Sequence, residues 1–333
     1  MDFLNALQNK PVSKTPIWLM RQAGRYMASY RALRAKHTLL ELVKTPELAC
    51  EVTLQPLAAF KLDAAIIFSD ILPILETLGL GLDFVHGEGP VLDNPIRTRA
   101  QVQNLTLRPI EETVGFTLDA IKLVKPEIKV PLIGFSGSPF TLACYAIEGG
   151  SSKDHRLAKT FMYSEPEAWH RLMSTLAELV GQYLLLQADA GVDVLQVFDS
   201  WAGSLSAIDY ERFVFPHTQK VIRTAKRSGK PVIYFSTGTA GFNHLIAKLD
   251  ADAYSIDWRM PLGQAHEILG THKPIQGNLD PLTLLAPWDE LKHQIDFVLA
   301  QAPKTGFIFN LGHGILQQTP EDNVRRLTDY LNA

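Results

Sequence analysis

The sequence predicts an α/β protein, a (β/α)8 TIM barrel in a single domain over residues 1–333, and three observations carry that expectation. Short apolar runs recur along the whole chain, eight in all, and each is closed by polar or glycine residues. Helical patterns with recognisable starts lie between them, the alternation expected of a parallel sheet covered by helices. The length of 333 residues suits a fold that commonly takes about 250 residues or more as one domain.

In chain order, Ile17–Met20 ends on Arg21-Gln22, Ala64–Phe68 on Ser69-Asp70, Val130–Phe135 on Ser136-Gly137-Ser138, and Val192–Phe198 on Asp199-Ser200. Val232–Phe235 then ends on Ser236-Thr237-Gly238, Ala253–Ile256 on Asp257-Trp258, and Pro274–Gln276 on Gly277-Asn278. Phe307–Phe309 is closed by Asn310, Gly312, His313 and Gly314. Between them, Thr45-Pro46-Glu47 places an N-cap before a proline at the first helical position. Ser164-Glu165-Pro166-Glu167 predicts a capping box before a helix to Asp189, and Thr319-Pro320-Glu321-Asp322 opens the last helix the same way. A doubly wound sheet would want Gly-x-Gly-x-x-Gly after its first strand, and Arg21-Gln22-Ala23-Gly24 is not that. The widest gap, between the second and third runs, is broken by Gly79, Gly81, Gly87, Gly89, Pro90 and Pro95. There Leu82–Leu92 reads as an extra hairpin or lid.

A net charge of -3 and 46% hydrophobic content fit a folded globular chain and exclude a disordered one. With a pI near 6.4 there is no global basic field, so nucleic acid is not an expected partner and any anionic ligand should be small and locally bound. The positive charge is local: from Phe3 to Leu40 there is no Asp or Glu, while Lys10, Lys14, Arg21, Arg25, Arg31, Arg34 and Lys36 are basic. Cys50 and Cys144 lie far apart without metal-ligand spacing, which suits a reducing compartment and predicts no metal site. The N-terminal residues do not read as a signal peptide, and no apolar run reaches the ~18 residues of a membrane span. The expectation is a soluble, cytoplasmic protein.

In a barrel, the C-terminal strand ends converge on one mouth. That gathers Arg21, Arg25, Asp70, Ser136, Tyr145, Ser200, Asp257 and His313 around one cavity. Duller readings stand beside this one. The arginines could cap a helix, although the planar guanidinium suits carboxylates and phosphates; Asp70 reads equally well as a helix N-cap; His313 could be a loop histidine, although flanking glycines let backbone approach a ligand. Trp18, Met20 and Met27 read as packing, and Cys144 as a buried small hydrophobe. Gly277-Asn278 and Gly312-His313-Gly314 also fit the phosphate corner common in barrels, which leaves a phosphosugar enzyme open. From the residues alone, the reading is a barrel enzyme with an anionic substrate.

Two long motifs carry a resemblance. The stretch from Pro16 to Tyr26 and the stretch from Gly134 to Gly150 resemble the signatures of the uroporphyrinogen decarboxylase family. The likeness continues through Ile66–Leu72, Val197–Gly203, Gln276–Asp280 and Asn310–Gly314, with Asp199 and Trp201 as minor departures. The resemblance implies a cytoplasmic homodimeric barrel of haem biosynthesis, working without metal or organic cofactor. Its reaction would convert the four acetate arms of uroporphyrinogen III to methyls, giving coproporphyrinogen III. It also implies that Arg21, Arg25 and Arg34 meet substrate carboxylates, that Asp70 meets the pyrrole nitrogens, and that Tyr145, Ser200 and His313 complete the site. Gln22, Ile66 and Phe198 would line it, and the catalytic set would be Asp70, Arg21, Tyr145 and His313. A corrinoid-dependent methyltransferase of the same superfamily and a non-catalytic carrier of anionic tetrapyrroles are the alternatives.

Overall fold

The computed structural model describes residues 1–85 and 89–333. Its strands are β1 (Ala65–Ile66), β2 (Leu82–Val85), β3 (Gly89–Leu92), β4 (Leu132–Gly137), β5 (Val194–Asp199), β6 (Val232–Ser236), β7 (Ala253–Ile256), β8 (Ile275–Leu279) and β9 (Phe307–Leu311). Seven of them form one sheet in the order β1-β4-β5-β6-β7-β8-β9. Every neighbouring pair is parallel, as in Ile133 opposite Val194 and Leu195 opposite Val232. Parallel neighbours need crossover connections, and the long helices between the runs supply them.

The first run departs from expectation. It remains an extended segment rather than a ladder strand, with one parallel bridge from Ile17 to Phe309. Phe309 N–H donates to Pro16 C=O at 2.9 Å, and Asp63 N–H donates to Ile17 C=O at 2.7 Å, so this segment links the two edges of the curled sheet. Side chains take over where a ladder would have run. The Asp63 carboxylate accepts the Ile17 N–H at 2.9 Å and Asn310 Oδ1 accepts the Met20 N–H at 3.1 Å.

Alternation along the strands sorts the interior into two layers. Ile133, Val194, Ile233, Phe235, Ala253 and Ile308 pack inside the sheet with Trp18 and Met20, and the helix Asp2–Leu7 contributes Phe3, Ala6 and Leu7 to the same cluster. The opposite faces bury a larger apolar layer under the helices. Among the inner side chains Trp18 Nε1 donates to Gln276 Oε1 at 2.8 Å, and Gln276 Nε2 to Ser255 Oγ at 3.0 Å, while Gln196 Nε2 is left without a partner among the described residues. An unpaired polar atom there costs roughly 1–3 kcal/mol.

The expected capping box at Ser164 does not form. Ser164 closes the helix Arg156–Ser164 and donates to Thr160 C=O at 2.8 Å, while the helix Pro166–Ala190 starts on its own proline. Proline has no N–H to be capped and its fixed φ already suits the first turn. Thr45 and Thr319 likewise make no cap bond; the helix Pro46–Ala59 begins on a proline and Glu321–Leu331 directly after one. The extra hairpin is present as β2 and β3, paired antiparallel from Leu82 opposite Leu92 to Val85 opposite Gly89. Its tip, residues 86–88 with Gly87, lies outside the described residues. Leu92 N–H donates to Gly149 C=O at 2.9 Å and Ile96 N–H to Ala146 C=O at 2.8 Å, which ties the hairpin to the helix Pro139–Glu148.

Candidate active site

Arg21 stands at the turn that ends the first run, with φ of 58°. A non-glycine residue held in this left-handed region costs of order 1 kcal/mol and persists only where its neighbours fix it. Here they do: Gln22 N–H closes the turn on Leu19 C=O at 3.0 Å, and Met20 C=O accepts the Ile315 N–H at 2.9 Å. Gly314 is shaped to the Arg21 side chain, since a Cβ at Gly314 would sit 2.4 Å from Arg21 Cδ. Gly312 meets the other wall, where a Cβ would lie 2.6 Å from the Trp258 backbone nitrogen. The two glycines around His313 therefore make room for protein neighbours, and His313 stands between Arg21 and the Trp258 loop.

Asp70, Tyr145 and His313 all lie within the field of Arg21. Burial raises the Asp70 carboxyl above the usual range, against the lowering pull of the Leu72 N–H and of Arg21. Leu72 N–H donates to one carboxylate oxygen at 2.9 Å, an N-cap-like contact, and the Ile71 N–H adds a weaker lowering pull. Both sequence readings of Asp70 therefore hold together, a local backbone contact and a carboxylate at the mouth. Burial, followed by Arg21 and Arg259, pushes His313 down to about 4, so its imidazole is neutral at pH 7. Burial and then Asp70 push the Tyr145 phenol above its ordinary range, which keeps it a hydroxyl donor. The Tyr145 ring packs on Trp201 at a centroid distance of 4.0 Å.

Burial raises the Tyr30 hydroxyl, Arg34 and Arg25 pull it down and Asp70 adds to the rise, so both arginines and Asp70 lie within electrostatic reach of one side chain. Arg34 also donates to His37 C=O. Gln22 is buried, with its backbone C=O accepting the Tyr26 hydroxyl at 2.6 Å. Ile66 and Phe198 are the partly exposed members of otherwise buried strands β1 and β5, where a fully packed barrel would have closed over them. Phe198 is held edge-on by Phe135 and Phe235 at 5.5 and 5.6 Å. Ser200 follows β5, and its C=O accepts the Thr237 hydroxyl.

Two residues expected at the mouth have other work. Ser136 is buried on the helix side of β4, next in alternation to Gly134, whose Cα faces Gln187 and Val192. Asp257 is buried and accepts from the Gly238 N–H at 2.6 Å, the Arg259 N–H at 3.1 Å and the Arg259 guanidinium. Sequence reasoning missed Arg259, Trp201 as a ring platform, and His155, whose ring lies 4.3 Å from that of Trp201. The Asp257-Trp258-Arg259 spacing after a strand end was the available signal for the first.

Fold and site together define an α/β barrel protein whose strand ends present arginines, one half-buried carboxylate and a neutral histidine to an anionic ligand. Comparison with known proteins narrows that class. The family model for uroporphyrinogen decarboxylase (URO-D) matches residues 1–333. Uroporphyrinogen decarboxylases from Roseiflexus sp. (strain RS-1) and Chloroflexus aggregans are both 52% identical, over 99% of this chain and 97% and 95% of theirs. The enzyme of the same name from Sorangium cellulosum is 47% identical over 99% of this chain and 95% of its own. The chain belongs to the uroporphyrinogen decarboxylase family. Among solved structures, a methyltransferase from Methanosarcina mazei shares the fold, with a TM-score of 0.82 at 18% identity over 100% of this chain and 98% of that one.

A thiolate site of the kind a zinc-dependent methyltransferase needs finds poor donors here. Burial pushes the Cys144 thiol well above its ordinary range, with Asp199 adding to the effect, and burial raises Cys50 as well. Among the described residues, no cluster of three or more His, Cys, Asp or Glu side chains is placed to hold a metal ion. No helix there is long and apolar enough to cross a membrane.

Proposed function

We propose that this chain is a carboxy-lyase of porphyrin biosynthesis that converts the four acetate arms of uroporphyrinogen III to methyls, giving coproporphyrinogen III. The observation that carries the reading is the pairing of a full-length family match with Asp70 standing in the field of Arg21 at the barrel mouth. The substrate is a polycarboxylate, which gives the acid-free segment from Phe3 to Leu40 its purpose. Arg21, Arg25 and Arg34 hold carboxylate arms, and Gln22, Ile66 and Phe198 shape the cleft around the macrocycle. Ser200 adds a hydroxyl at the rim.

The chemistry needs an electron sink, and the substrate carries its own. Protonating the pyrrole carbon beside an acetate arm makes a cationic ring that takes up the electron pair left as carbon dioxide departs; a second proton then completes the methyl, and the first leaves the ring carbon to restore the pyrrole. The Asp70 carboxylate accepts pyrrole N–H groups and meets the positive charge as it develops, where a preorganised charge acts most strongly. Tyr145 serves as a hydroxyl donor and His313 as a neutral imidazole, in keeping with the directions of their pKa shifts. The reading includes a single catalytic domain, assembled as a homodimer in the cytoplasm.

The test is product analysis under anaerobic conditions with a chelator present. Uroporphyrinogen should lose four carboxylates, read by chromatography after oxidation to porphyrins. Binding without loss of any carboxylate would make the chain a tetrapyrrole carrier instead.

A further inference from the structure

Beside the mouth lies a pocket of about 260 Å³, walled by His155, by Ser200, Trp201 and Ser204 after β5, by Thr237 and Gly238 after β6, and by Arg259 after β7. Pockets that enclose a whole small molecule run from roughly 300 to 1,000 Å³. This one falls just below that range, with room for one carboxylate arm and its water. Arg259 is held in place rather than loose: its backbone N–H and one guanidinium nitrogen go to Asp257, and its guanidinium carbon lies 4.4 Å over the Trp258 ring. Its side chain is still half exposed, and no other partner meets it among the described residues. Two polar atoms of the pocket's residues, Ser204 Oγ and His155 Nδ1, are buried without a hydrogen-bond partner among the described residues. Trp201 joins this pocket to the candidate active site, because its ring is shared between His155 and Tyr145. The Gly312-His313-Gly314 segment joins them a second time, with Gly312 against Trp258 and Gly314 against Arg21.

We propose that Arg259, with the hydroxyls of Ser200 and Ser204, forms a second anion subsite that takes one carboxylate arm of the tetrapyrrole on the far side of His313 from Arg21. The inference rests on the decarboxylase reading and extends it to a residue outside the Arg21, Arg25 and Arg34 group. Asp257 fixes the fork and offsets part of its charge, so the subsite suits a singly charged carboxylate better than a phosphate dianion. Guanidinium N–H groups left over from the Asp257 pair are the donors such a carboxylate needs. Gripped at two arginine sites, the macrocycle would keep its place over Asp70 while one arm reacts.

Arg259→Gln, Arg259→Lys and Ser204→Ala are compared with wild type in anaerobic steady-state assays, with products sorted by remaining carboxylates and folding checked by circular dichroism. The expected result for Arg259→Gln is a KM raised at least tenfold, an effect on kcat smaller than that on KM, and accumulation of partly decarboxylated products. Arg259→Lys should fall between Gln and wild type, and Ser204→Ala should raise KM about threefold. A folded Arg259→Gln with KM within twofold of wild type and a normal product pattern would overturn the subsite. If wild type itself released no carbon dioxide, the decarboxylase reading would fail separately. The subsite would then be read from uroporphyrin binding through tryptophan quenching, and equal affinity of wild type and Arg259→Gln would overturn it there.

Discussion

Two carboxylates, Asp70 beyond the end of β1 and Asp199 at the end of β5, two strands away in the sheet, have opposite surroundings. Asp199 closes β5 on the helix side. It accepts the Thr141 hydroxyl at 3.0 Å and the Tyr234 hydroxyl at 2.8 Å, and Tyr234 is in turn 3.1 Å from the Tyr210 hydroxyl. Asp70 has only the local backbone N–H groups of Leu72 and Ile71 and the field of Arg21, and it is partly exposed to the cleft. Burial raises both carboxyls. The protein answers that cost with its own hydroxyls at Asp199, and leaves it largely unanswered at Asp70. A carboxylate satisfied from within is a structural tie between β5, β6 and the helix that carries Tyr145; one left short of donors is set out for a ligand that brings N–H groups.

The largest expected effect breaks that comparison at the mouth. Asp70→Asn should lower turnover a hundredfold or more, the order of a lost preorganised charge, with a melting temperature equal to or above wild type because a buried charge is removed. Next comes Arg21→Lys, for which a tenfold or larger loss of initial rate is expected although the charge is kept, since the bidentate fork is lost. Gly314→Ala should cost about tenfold in turnover and little in stability, because the new Cβ displaces the Arg21 stem; wild-type rates in that variant would show that Arg21 has freedom the contact does not suggest. Asp199→Asn should do the reverse of Asp70→Asn, losing about 1–3 kcal/mol of stability as the Tyr234 and Thr141 hydroxyls lose acceptors, measured by urea denaturation.

The smallest effect is in pH dependence. His313 has its pKa depressed from 6.5 to about 4, so between those values the unfolded chain binds a proton that the native chain refuses. Its contribution is intact above pH 6.5 and is lost as pH falls toward 4. Buried carboxylates with raised pKa act in the opposite sense, so the informative quantity is a difference. Relative to wild type, His313→Gln should gain about 2 kcal/mol on going from pH 7 to pH 5. An unchanged difference would mean that the imidazole is open to water.

Much of this was legible because it is local. An apolar run closed by a polar residue marks a strand and its functional end at once, which is how Arg21, Asp70 and His313 could be placed at one mouth from sequence. The ladder of the first run was not legible, because Asp63 and Asn310, distant in the chain, supply the groups that replace it. Ser136 was misplaced by reading a strand end without its alternation. Gly314 was noticed, but its reason lies in the stem of Arg21, a contact across the barrel. Arg259 is not legible because a surface arginine three residues beyond a strand carries no periodic signal; its anchoring by Asp257 and Trp258 appears only in three dimensions.

The contrast between the two carboxylates reduces to one number, the ratio of carbon dioxide release rates for Asp70→Asn and Asp199→Asn on uroporphyrinogen, measured anaerobically at a temperature where both variants are folded. The account predicts that Asp70→Asn is slower by about two orders of magnitude. Equal rates, or a slower Asp199→Asn, would contradict it.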